Sequence, residues 1–156
     1  MDDRTRKIIY IAVAVIFGLF FFYILADSYG PGSYPNAETY ELAYPESQVI
    51  DAINQFKTEN PKIAGPDFLT DERINEHWYK VYFYFPDEDK IVYTWTRPSG
   101  KNKTTFALVS LNDGLTLGNW KDINNDFGFF ENRRLKRIFE ERILSKIEKR
   151  LKAPKR

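Results

Sequence analysis

Cysteine is absent from this 156-residue chain, and histidine and methionine each occur once. Without cysteine there is no disulfide staple, no thiolate nucleophile, no sulfur ligand for zinc and no cysteine-linked lipid. Small domains of a eukaryotic exterior usually rely on disulfides, so their absence fits a bacterial envelope better. With His77 as the lone histidine, zinc would need mostly carboxylate ligands, outside its usual sets. No glycine-rich phosphate loop occurs, and no serine stands in a G-x-S-x-G elbow. Asp87, Glu88 and Asp89 resemble acid–base carboxylates, but directly after Pro86 they read as turn residues. No catalytic constellation is recognisable, and no cofactor is expected.

What is present first is an apolar block, Ile8 to Ala26, nineteen residues without a charge. As a helix it covers about 28 Å, close to the hydrocarbon thickness of a bilayer. Arg4, Arg6 and Lys7 precede it, and the next positive charge is Lys57. This asymmetry predicts an uncleaved anchor at 8–26, a cytoplasmic N-terminus at 1–7 and a translocated C-terminal domain. The expected location is thus a single-pass protein of a bacterial inner membrane, facing the periplasm and with the lipid bilayer as one partner. A cleaved signal peptide is the rival, but cleavage after Ala26 would put bulky Ile24 where a small residue is wanted. Ala14 and Gly18 form a small-xxx-small pair, the feature that a structural subunit of a larger membrane complex would use.

Asp27 to Ala37 reads as a linker, because Gly30, Pro31, Gly32 and Pro35 oppose a helix. Residues 38–152 then form one α+β domain, with a basic tail at 153–156. Val49, Ile50, Ile53 and Phe56 make a helical stripe over Glu46–Glu59. His77–Phe85, Lys90–Thr96 and Thr104–Leu111 are dense in aromatic and β-branched residues and predict an antiparallel three-stranded meander. Leu115–Phe130 reads as irregular. Leu135, Phe139, Ile143, Ile147 and Leu151 recur every four residues and predict a long helix over Glu131–Lys152. The expected order is helix–β–β–β–helix. A five-residue turn at Pro86 would place Tyr79, Val81, Phe83 and Phe85 on one face with Ile91, Tyr93 and Trp95. Trp78, Tyr82, Tyr84 and Val92 would then occupy the second face, covered by other parts of the chain or by a partner.

The net charge of +1 conceals a division. Residues 27–130 hold sixteen acidic and nine basic side chains, whereas 131–156 hold four acidic and eleven basic ones. The basic helix either packs against the acidic body or contacts anionic headgroups or an acidic partner. Its candidate contact residues are Arg133, Arg134, Arg137, Lys149 and Arg150, beside the aromatic Trp78, Tyr82 and Tyr84. Asp122, Asn124 and Asp126 reproduce the alternating start of a calcium loop, but Gly128 falls one position late and Arg133 stands where a bidentate glutamate belongs. Nucleic acid is excluded by the expected topology. The reading is a non-enzymatic interaction module with an unidentified protein partner, the alternatives being a structural subunit or an envelope enzyme.

Overall fold

In the computed structural model, residues 2–28, 34–74 and 76–153 are described. The expected linker lies outside them over 29–33, and the basic tail over 154–156. The chain divides into two compact units, Met1–Pro35 and Asn36–Arg156.

The first unit is a 26-residue helix, α1 (Asp3–Ser28). It begins ahead of the apolar block and takes Asp3, Arg4, Arg6 and Lys7 into its opening turns. No helix among the described residues is long and apolar enough to cross a membrane. This overturns the expected anchor at Ile8–Ala26. The single-pass topology, cytoplasmic N-terminus and periplasmic location argued from it fall with it.

The second unit carries β1 (Glu38–Leu42), α2 (Glu46–Glu59), β2 (Glu72–Arg73), β3 (Tyr79–Phe85), β4 (Lys90–Gly100), β5 (Lys103–Asp113) and β6 (Trp120–Asp122). They are followed by α3 (Phe129–Phe139), a π turn (Glu140–Leu144) and α4 (Ser145–Lys152). The three-stranded meander is therefore corrected to a six-stranded antiparallel sheet in the order β1-β5-β4-β3-β2, with β6 also pairing to β5. The three added strands span five, two and three residues. Such lengths are too short to register as an alternating pattern, and partner strands rather than local propensity hold them in place.

Register is the second correction. Phe85 pairs with Lys90, so the turn is Pro86–Asp89, one residue shorter than expected. Asp89 closes it at a φ of 46°. A one-residue slip moves every side chain of a strand to the opposite face. Val92 and Thr94 therefore join Val81 and Phe83 beneath the helices, whereas Ile91, Tyr93 and Trp95 lie on the second face with Tyr84, Tyr82 and Lys80.

The helix-covered face forms the core. Val81, Phe83, Phe85, Val92, Phe106, Leu108 and Leu111 meet Val49, Ile53 and Phe56 of α2 and Leu135, Phe139, Ile143 and Ile147 of the C-terminal helix. Phe139 lies 5.4 Å from Phe106 and 5.6 Å from Tyr40 by ring centroid. Buried Thr94 is accommodated by donating to the Val81 carbonyl at 2.8 Å, which satisfies its hydroxyl.

The second face carries an aromatic layer. Tyr82 and Tyr93 stack at 5.3 Å, and Trp120 lies tilted against Tyr82 at 6.3 Å and edge to face with Tyr93 at 6.2 Å. Trp78 meets Trp95 edge to face at 4.4 Å, with the Arg97 guanidinium 5.0 and 5.8 Å from their ring centres. A bulge opposite Tyr93 and Thr94 leaves Val109 unpaired in the β4–β5 ladder. Its carbonyl accepts the Ile123 N–H at 2.9 Å, drawing the chain after β6 onto the sheet.

Beyond α2, the chain runs along the free side of β3. Tyr84 donates its N–H to the Ile63 carbonyl at 3.1 Å, and Tyr82 donates its N–H to Asp71 at 2.9 Å. Gly65 has a φ of 93°, and a Cβ there would stand 2.9 Å from the Tyr82 carbonyl oxygen, so only glycine fits this approach.

Candidate functional site

The acidic carboxylates and the basic helix largely explain one another. Arg134 donates to Glu88 at 2.7 Å, Arg142 to Asp87 at 3.0 Å and Lys136 to Glu38 at 3.0 Å, and Arg150 donates to Glu59. Asp87 and Glu88 thus join the β3–β4 turn to the C-terminal helix, while Asp89 accepts the Tyr84 hydroxyl at 2.6 Å. The hydrogen bond from Arg134 holds the Glu88 carboxyl below its ordinary range. Tyr40 is pushed well above the usual phenol range, first by burial and then by the Glu140 carboxylate, to which it donates at 3.0 Å. The phenol stays protonated and ties β1 to the first residue of the π turn.

Two cations of α3 are left over from this pattern. Arg133 has no acidic partner among the described residues, and Arg137 only approaches Glu141 at 4.0 Å, both side chains being 68% exposed. Together with Phe130 they fall at i, i+3 and i+7, one stripe along the helix. Phe129 and Phe130 pack edge to face at 5.4 Å and are 73% and 84% exposed. Beside them lies a concavity of about 510 Å³ lined by Glu38, Phe130, Arg133, Arg134, Lys136, Arg137 and Glu140. Its lining combines the guanidinium groups of Arg133, Arg134 and Arg137 with two carboxylates, Glu38 and Glu140, already engaged by Lys136 and Tyr40. Such a site can take separate carboxylate and apolar side chains. Nothing in it pairs a nucleophile with a base.

The other expected site residues are dispersed. Trp78, Tyr82 and Tyr84 share the second sheet face, away from Arg133, Arg134 and Arg137. Arg150 lines a separate groove of about 460 Å³ between α2 and α4 with Phe56, Glu59 and Lys146, and Lys149 is exposed on α4. Neither concavity includes His77. The calcium-loop residues bind one another and their neighbours. Asp126 accepts the Asp122 N–H at 2.8 Å, and Asn124 Oδ1 accepts from Asn132 at 2.8 Å and from the Lys136 ammonium at 3.1 Å. An ammonium thus occupies the oxygen a calcium ion would need, and no group of three metal-ligating side chains exists among the described residues.

Phe129 and Phe130 were not among the expected site residues, because the helix was expected to begin after them. A signal was nevertheless present. Extending the Leu135–Phe139–Ile143 repeat backward reaches Glu131, so both phenylalanines fall off the buried stripe.

The fold and site thus define an α+β domain with an aromatic–cationic helix front. No protein-family model and no curated protein matches the chain.

Proposed function

We propose that the second unit is a non-catalytic interaction module whose docking surface is the front of α3. The observation that carries this reading is the exposure of Phe129 and Phe130 beside Arg133 and Arg137, the two arginines of this helix that the body leaves largely unneutralised. Aromatic residues and arginine are the types most enriched where protein partners bind, because they combine large contact area with oriented polar groups. Two adjacent phenylalanines at a helix start gain nothing from the core and leave apolar surface in water, which a partner would cover.

The test is a photo-crosslinking residue at Phe130, compared with the same residue at exposed Lys101 in the β4–β5 turn. In cells that make the protein, position 130 should give one predominant adduct that position 101 does not. Equal labelling from both positions, or none from 130, overturns the reading.

A further inference from the structure

We infer that the occupant of the α3 front is an acidic protein segment, presenting two carboxylates about 6 Å apart and an apolar side chain about one helical turn further along. This rests on the reading of α3 as a docking surface and adds the chemistry of the partner.

Charge complementarity carries the inference. Arg134 and Lys136 flank the Phe130–Arg133–Arg137 stripe and are held by Glu88 and Glu38 of the same chain. Arg133 and Arg137 between them lack such partners, apart from the loose approach of Glu141. An exposed helical pair of that kind is weak, so an incoming carboxylate displaces it at little cost. Arginine forks bind carboxylates through two parallel hydrogen bonds, which favours discrete, oriented acids.

The spacing follows from the helix. Arg133 and Arg137 are four residues apart, about 6 Å along the axis, and Phe130 lies about 4.5 Å before Arg133. Carboxylates at i and i+4 of a partner helix match the first distance, and those at i and i+2 of an extended strand match it nearly as well.

The concavity argues against a flat anionic surface. Glu38 and Glu140 line the same pocket as the arginines. Their charges would repel a continuous plane of phosphates, while a peptide can place its acids against the arginines and an apolar side chain against Phe130.

The experiment uses the full chain and a fluorescein-labelled, alanine-based helical peptide bearing Glu at i and i+4 and Leu one turn beyond. Its companions are the same peptide with Gln for Glu, and vesicles of phosphatidylcholine and phosphatidylglycerol. Fluorescence anisotropy should show saturable binding of the Glu peptide that weakens by about tenfold or more between low and physiological salt. The Gln peptide should bind about tenfold more weakly, as should the Glu peptide to the double variant Arg133→Glu, Arg137→Glu. Phe130→Ser should weaken binding by about threefold or more at unchanged salt slope. All these positions are exposed, and circular dichroism verifies that the variants are folded. Equal binding of the Gln peptide overturns the inference, as does indifference to charge reversal. Vesicle binding as strong as peptide binding, lost in the same double variant, overturns it in favour of lipid. If the Phe130 crosslink persists in the double variant and ignores salt, the docking surface stands and the acidic partner falls. If neither crosslink nor peptide binding is seen, both fall.

Discussion

The two faces of the sheet are built from similar residues and arrive at different states. Beneath α2 and the C-terminal helix, Phe83, Phe106 and Phe139 are fully buried in one continuous core. On the second face, Tyr82, Tyr93 and Trp120 lean on one another and each stays only half-buried. Ile91, Trp95 and Ala107 are buried there as well, yet they lie outside the main core cluster. Aromatic content alone therefore does not make a core. What decides is whether a second layer of secondary structure closes over it.

The contrast predicts graded losses of stability. The largest should follow Phe139→Ala, which removes the ring packed between Phe106 and Tyr40. About 3–5 kcal/mol is expected in urea unfolding, from lost transfer free energy and the cavity left behind. Tyr93→Ala should cost about 1–2 kcal/mol, because it loses two aromatic contacts on a half-exposed surface without opening an enclosed cavity. Equal losses in the two variants would break the distinction between the faces.

The smallest effect belongs to the rim that ties the β3–β4 turn to α3. Arg134 holds the Glu88 carboxyl below its unfolded-state range, so the stabilisation is present above the unfolded value of roughly 4.3 and is lost as pH falls through the folded one. Because Arg134 is 42% exposed, solvent screening limits the contribution to about 0–1 kcal/mol. Glu88→Gln should lower stability by that amount at pH 7 and leave no difference from the parent near pH 2. A difference that persists at pH 2 would assign the effect to packing rather than charge.

Sequence legibility follows the same division. The α2 stripe was readable, since Pro45 and Asn60-Pro61 bound a helix over Glu46–Glu59 whose Val49, Ile53 and Phe56 are buried, although Ile50 stays partly exposed. The central strands were readable in composition, but their register depended on one turn residue, and an error of one inverted β4. Strands β1, β2 and β6 were hidden because their pairing is long-range. The π turn has a trace in the sequence. A strict four-residue repeat from Leu135 to Leu151 drifts by about 160° around a straight α-helix and should leave the core. One extra residue in a π turn takes back about 100°, which lets Leu135, Phe139, Ile143 and Ile147 all stay buried. Arg133 and Arg137 were visible as charge, but Phe130 was not singled out, and the ion pairs that neutralise their neighbours are tertiary and left no mark in the local sequence.

The segment running beside β3 has a consequence for solution behaviour. An open strand edge is a template on which other chains can add, and repeated addition leads to fibrous aggregates. Here β2 pairs with Tyr79 and Lys80, Asp71 takes the N–H of Tyr82, and Ile63 takes the N–H of Tyr84. The most aromatic strand of the protein, YKVYFYF, thus has the outer edge of its backbone occupied by its own chain. Gly65, by permitting that close approach, keeps this edge from serving as such a template.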